Sequence, residues 1–148
     1  MAKMNFKGLI QGALGKVSEI SVEELSNDYS KYLFEGEAIQ TGYKLLRDVI
    51  IFTDIRILFV DRQGATGKKT SFKSVYLTHI IDVVMETPGP GIDDSELVVT
   101  YLENVNRISQ NEIFGKEKFE FGKKMDIAPL YSLLGTLALK NRTEINKQ

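Results

Sequence analysis

From Ile39 to Phe121 the chain is built of short apolar runs and alternating segments, each closed by turn residues. Runs rich in Ile, Val and Phe between such breaks are the mark of strands. The centre is VIIFTDIRILFVD, Val49–Asp61, where a Thr53-Asp54 turn separates a pair of apolar runs and folds them into a hairpin. Both faces of the pair are apolar in part, which places it deep in a sheet. Before it, Ile39, Thr41, Tyr43 and Leu45 alternate with Gln40 and Lys44, as in a half-buried strand. After it come alternating Thr70–Leu77, then His79–Met85, then Glu96–Leu102. Ile108–Phe114 and Lys118–Phe121 read as two last strands, or as one strand bent at Gly115. Arg62–Lys69 and Thr87–Gly91 are loops, because glycine and proline punctuate them and proline cannot donate to a strand ladder.

The period changes at both ends. Phe6, Leu9, Ile10, Ala13, Leu14 and Val17 form one apolar stripe at helical spacing. Gly8, Gly12 and Gly15 each weaken that helix by roughly 1 kcal/mol relative to Ala, so it forms only by docking. Three surfaces remain open to it: its own domain, a second subunit and a membrane interface. A second helix begins at Ser21, where Ser21 and Glu24 have the spacing of a capping box, and Gly36 is a natural stop. At the other end Asp126 caps a closing helix whose stripe is Ile127, Leu130, Tyr131, Leu134, Leu137 and Ala138. Pro129 falls in its first turn, where a missing amide costs little, and the polar tail from Lys140 is expected to fray.

Helix, helix, about seven sequential strands and a helix imply a mainly β, α+β fold. The expected form is a bent antiparallel sheet or small barrel plugged by the last helix. The organisation read from this is an N-terminal helical segment, residues 1–34, and a domain over residues 35–148.

Composition narrows the picture by exclusion. At 148 residues the chain can bury a core without staples, and its 43% hydrophobic and 26% charged content are ordinary for a soluble protein. A net charge of −1 supplies no field to draw it to nucleic acid. The absence of Cys removes disulfides, thiolate nucleophiles, iron–sulfur clusters and cysteine zinc sites, and fits a reducing cytoplasm. No apolar run is long enough to cross a bilayer, and glycines interrupt any leader-like stretch behind Lys3 and Lys7. The expected location is cytoplasmic, with peripheral membrane attachment as the alternative.

Candidate chemistry is sparse. Arg62, Lys68, Lys69 and Lys73 form a basic cluster with no acid inside RQGATGKKTSFK, and Gly64 and Gly67 let backbone amides turn toward an anion. The plainer reading is a solvated hairpin loop whose lysines discourage edge pairing. A phosphate-binding loop is excluded: its first glycine would fall at Arg62 and its hydroxyl at Lys69. Asp93, Asp94 and Glu96 lack the spacing of a calcium loop. Asp54 and Arg56 flank the hairpin turn and are expected to pair on the surface. His79, the one histidine, has Ser74, Thr78 and Asp82 near in sequence, but strand neighbours alternate faces and no triad follows. No catalytic residue, metal or cofactor is assigned.

Gly36-Glu37, FTDIRILFVD at Phe52–Asp61, Gly67-Lys68-Lys69 and the segment Met85–Leu97 stand in an order that resembles the bacterial PH-domain family. The resemblance covers roughly residues 35–140. It implies a seven-stranded, barrel-like pleckstrin-homology sheet capped by a C-terminal helix, and a tendency to form homo-oligomeric rings. Eukaryotic relatives of the fold often bind lipid headgroups through basic residues between the first two strands; here that connection is Leu46-Arg47-Asp48, one cation and one anion. The function expected is a non-enzymatic binding or scaffolding module that self-assembles, open to a further protein partner. Phe6, Leu9, Ile10 and Leu14 are the candidate interface. The alternative is a peripheral binder of a lipid headgroup or phosphopeptide through Arg62, Lys68, Lys69 and Lys73.

Overall fold

The computed structural model describes residues 20–45, 48–63, 69–87, 94–122 and 125–147. The stripe with Phe6, Leu9, Ile10 and Leu14, and Lys68 and Asp93, lie outside the described residues. The chain divides between Leu77 and Thr78 into two compact units.

The first unit starts with the capping predicted at Ser21. The Ser21 hydroxyl accepts the Glu24 amide at 3.1 Å, and Glu23 and Glu24 set negative charge at the positive end of helix α1, Val22–Tyr29. A 3₁₀ turn, Ser30–Tyr32, follows. Gly36, with φ of 75°, then reverses the chain into strand β1, Ile39–Lys44. Only glycine takes that conformation without strain. Strands β2 (Val49–Thr53), β3 (Arg56–Gln63) and β4 (Lys69–Tyr76) continue an antiparallel sheet in sequence order. Every residue of β2 is buried, as its unbroken apolar run requires. Leu25 is the one buried residue of α1; with Val49, Ile51, Leu58 and Val60 it makes a core on one face of the sheet. The helix comes close because Gly42 lies beneath it. A Cβ there would stand 2.6 Å from the Leu25 Cδ1 and 3.1 Å from the Ile50 carbonyl oxygen.

The second unit is strands β5 (Ile80–Glu86), β6 (Ser95–Leu102) and β7 (Phe114–Phe121), antiparallel in that order, with helix α2 (Ala128–Ile145) packed on β5. Alternation holds: Leu97 faces Phe119 across β6 and β7, and both are buried. The α2 stripe buries Leu130, Leu133, Leu134, Leu137 and Ala138. Asp126 accepts the Ala128 amide at 3.1 Å, although the capping position itself is Ile127.

Among the described residues seven antiparallel strands are therefore present, hydrogen-bonded as two sheets of four and three. The break falls where Leu77–His79 winds into a 3₁₀ turn between β4 and β5. Two expectations change. The segment from Ile108 to Ile113 is irregular rather than a strand, because Asn104, Asn106 and Ser109 side chains take up its amides and carbonyls locally. The tail beyond Lys140 does not fray early. It stays helical to Ile145 because Asn141 donates to the Ile80 carbonyl at 2.8 Å and Arg142 to that of Ile81 at 2.9 Å.

Candidate functional site

The first unit contains a buried charged centre that the sequence reading missed. Arg56 opens β3 on the face that carries Leu58 and Val60, and its side chain is only 3% exposed. A guanidinium cannot shed its charge, so such burial demands partners. Glu37, just after the Gly36 turn, supplies them, with a side chain that is fully buried. The pair is bidentate: Arg56 Nε meets Glu37 Oε2 at 2.9 Å, and Arg56 Nη2 meets Oε1 at 3.0 Å. The expected surface pairing of Arg56 with Asp54 is thus corrected. Asp54 accepts the Ala38 amide at 3.0 Å instead, while the Gly36 turn brings Glu37 to the guanidinium.

The rest of the coordination is equally complete. Glu37 also accepts the Thr53 hydroxyl at 2.6 Å and the Phe34 amide at 2.8 Å. Thr53, having donated its one proton, accepts the amides of Ile55 and Arg56 at 3.1 and 3.0 Å and so shapes the hairpin turn. Arg56 donates further to the Ser74 hydroxyl at 2.7 Å and the Tyr32 carbonyl at 2.9 Å. Burial alone pushes the Glu37 carboxyl up. Hydrogen bonds from Arg56, Thr53 and Phe34, together with the Arg56 charge, outweigh it and hold the group below its ordinary value of 4.5. The centre pins residues 32–37 to the sheet; its groups are turned on one another rather than on a cleft.

Above this lock sits an aromatic layer. The Phe34 ring lies 3.7 Å from the Arg56 guanidinium carbon, and Tyr32 stacks on Phe72 with centroids 4.1 Å apart. All three rings are partly exposed.

The basic cluster is divided by strand register. Arg62 pairs with Thr70 on one face of the β3–β4 ribbon. Lys69 and Lys73, opposite Gln63 and Phe59, project from the other face. Asp61, opposite Ser71, lies between the two lysines on that face, so an acid absent from the loop sequence enters through the pairing. Arg62, Lys69 and Lys73 are all exposed. The Ser95–Phe121 region carries its own charges as a cross-strand set: Lys118 meets Glu96 at 3.0 Å and Glu120 at 3.9 Å. Its hydrogen bond to Glu96 raises the Lys118 pKa. The His79 ring Nδ1 lies 2.9 Å from the Thr78 hydroxyl. Among the described residues no group of three His, Cys, Asp or Glu is placed to hold a metal ion, and no helix is long and apolar enough to cross a membrane.

A four-stranded antiparallel sheet, a three-stranded one and a C-terminal helix, in this order, define a pleckstrin-homology-like fold. The bacterial PH domain description matches residues 8–138, and the chain belongs to that family. An uncharacterised protein of Bacillus subtilis (strain 168), YjqA, is 42% identical over 92 residues, which is 62% of this chain and 74% of that protein. The pleckstrin homology domain of Shewanella amazonensis SB2B superposes with a TM-score of 0.62 at 27% identity, over 88% of this chain and 98% of that one. A DUF1696 family protein with a pleckstrin-homology domain from Shewanella loihica PV-4 gives 0.59 at 24% identity, over 83% and 97% of the two chains. At that identity the likeness concerns the fold.

Proposed function

We propose that this chain is a non-enzymatic PH-like module that self-associates and works as a binding or scaffolding unit. The observation that carries the reading is the contrast between its polar interior and its apolar surface. The buried charges, Glu37 and Arg56, are spent on each other and on neighbouring backbone, which leaves no directed acid, base or nucleophile at that centre. Meanwhile Val105, Ile108, Ile113, Phe114 and Leu139 stand more than half exposed. Apolar side chains standing that far out of a surface are ones a second copy can cover. Light scattering at micromolar concentration is expected to give a mass well above the 16.7 kDa of one chain. A single monomeric species across the concentration range defeats the proposal.

The anion-binding alternative draws on Lys69 and Lys73, which share a face, with Arg62 behind the ribbon. An anion at that face meets two cations with Asp61 between them, an arrangement weaker than the four cations in line suggest. Sedimentation with anionic vesicles separates the readings: equal pelleting of the wild type and of Lys69→Glu/Lys73→Glu removes this face as a lipid site.

A further inference from the structure

The outer strands of the two sheets are not finished alike. On β1 the Gly42 carbonyl accepts the Ile20 amide at 3.1 Å, and on β5 the carbonyls of Ile80 and Ile81 accept Asn141 and Arg142 at 2.8 and 2.9 Å. β4 ends its sheet, and among the described residues no strand pairs with its far side. Its register shows which backbone groups face that side. The Leu77 amide donates to the Ile55 carbonyl at 3.0 Å, and the pairing then runs unbroken from Arg56 and Tyr76 to Gln63 and Lys69. In an antiparallel ladder, pairs that exchange hydrogen bonds alternate with pairs that do not. Val75, Lys73 and Ser71 therefore bond to β3, while Ser74, Phe72 and Thr70 turn their amides and carbonyls outward.

The side chains give this edge two unlike faces. Phe72 and Tyr76 lie on the Arg56 face, 37% and 44% exposed. Phe72 is braced there by its stack on Tyr32, and Arg56 holds both elements by donating to the Tyr32 carbonyl and the Ser74 hydroxyl. A surface fixed in advance loses little freedom when it binds. The other face carries exposed Lys69 and Lys73, with half-buried Asp61 between them, and β4 itself contains no acid. Lysines commonly guard an open strand, but here they guard one face and leave the aromatic one outward. Beside the rings stand Lys31, 5.1 Å from the Tyr32 centroid, and Arg62, opposite Thr70; the exposed acids of the neighbouring turn and helix are Glu35 and Asp28.

We infer that β4 takes up an extended peptide as an added strand, one whose side chains alternate between acidic and apolar. The inference names a ligand for the binding role proposed above and does not depend on self-association. The outward amides and carbonyls of Thr70, Phe72 and Ser74 supply the ladder, and the two faces supply the selection. Ligand residues opposite Lys69 and Lys73 share the lysine face and are acidic. Those opposite Phe72 and Ser74 share the aromatic face and are apolar. Charge also chooses a foreign strand over a copy. A second β4 added antiparallel would set its own Lys69 and Lys73 on the same face as the first pair, where like charges repel.

The test uses the full chain and a labelled peptide of eight residues, the length of β4, alternating Glu and Val; the control peptide alternates Lys and Val. Fluorescence anisotropy should show the acidic peptide binding at least about tenfold tighter than the basic one, and Lys69→Glu/Lys73→Glu should reverse that order. Hydrogen exchange on the wild type locates the peptide without any substitution. The amides of Thr70, Phe72 and Ser74 should slow on binding, whereas those of Ser71 and Lys73, already bonded to β3, should change little. Absence of binding by the acidic peptide up to about 1 mM overturns the inference. Binding that leaves Thr70, Phe72 and Ser74 unprotected also overturns it, since the peptide then meets the lysines alone. Protection of those amides that grows with protein concentration, with no peptide present, gives the edge to a second copy and overturns it as well. Loss of the peptide complex leaves the self-association proposed above untouched, because the mass from light scattering decides that separately.

Discussion

The two units solve the same problem, attaching non-strand chain to a small antiparallel sheet, with opposite chemistry. In the first, residues 32–37 are fastened by a buried ion pair, Glu37 and Arg56, with Thr53, Ser74 and two backbone groups completing it. In the second, α2 is fastened to β5 by an apolar stripe, with neutral Asn141 on the Ile80 carbonyl. An apolar stripe tolerates partial loss, since each side chain contributes its own area. A buried ion pair does not, since removing one member strands the other in a medium that cannot solvate it. The first unit is therefore held by a joint that is complete or costly, the second by one that degrades by steps.

The sharpest way to break this comparison is to cut the joint on one side. Arg56→Met leaves the Glu37 carboxylate buried with only the Thr53 hydroxyl and the Phe34 amide, and should lower unfolding free energy by about 3–5 kcal/mol in urea titration. Glu37→Leu/Arg56→Met should recover some of that loss, because no uncompensated charge remains. Recovery stays incomplete, since the Phe34 amide and Tyr32 carbonyl lose their partners. A double variant as unstable as the sum of its single variants would show that the pair acts as two independent groups and end the comparison.

The same contrast explains what could be read from the amino acids. Elements set by local period were legible: the Ser21 cap, the Thr53-Asp54 turn, the all-buried β2 and the α2 stripe on which Leu130, Leu134 and Leu137 recur. The ion pair joins residues 19 apart in sequence, and nothing local selects Glu37 over the nearby Asp54 as the partner of Arg56. One signal was available. Arg56 sits inside IRILFV on the side of Leu58, so it had to be buried and had to find an acid, and Gly36-Glu37 offered one at a turn. The division of the basic cluster was equally hidden, because Arg62 and Lys69 look adjacent until the register assigns them faces. The tail misled for a related reason: Asn141 and Arg142 read as solvent-facing, but both reach carbonyls of β5.

A smaller effect sharpens the comparison from the second unit. Asn141→Ala leaves the Ile80 carbonyl without that donor in a buried place, which should cost about 1–3 kcal/mol. It should leave the first unit's aromatic layer undisturbed. The Arg56→Met variant, in contrast, should change the near-ultraviolet dichroism of Tyr32 and Phe72, which lean on the region it anchors. Equal changes in both variants would mean that the two joints are one.

Acid gives the gentlest probe, because it removes charge and keeps shape. The folded-state pKa of Glu37 lies below its ordinary 4.5, so the stability it contributes is fully present above that value and is lost as pH falls through the folded one. The net effect is the remainder of two opposing ones: burial, which favours the neutral acid, and the bonds from Arg56, Thr53 and Phe34, which favour the carboxylate. A protonated Glu37 still fills its site and still accepts hydrogen bonds, so the loss should be smaller than that of either substitution above. Titrating the urea midpoint from neutral pH downward should show a decline below 4.5 that is shallower in Glu37→Gln, a variant with no carboxyl to protonate there. Parallel declines in the two proteins would mean that other carboxylates govern acid unfolding. The Glu37 charge would then be redundant to the joint, its bonds being served as well by an uncharged group.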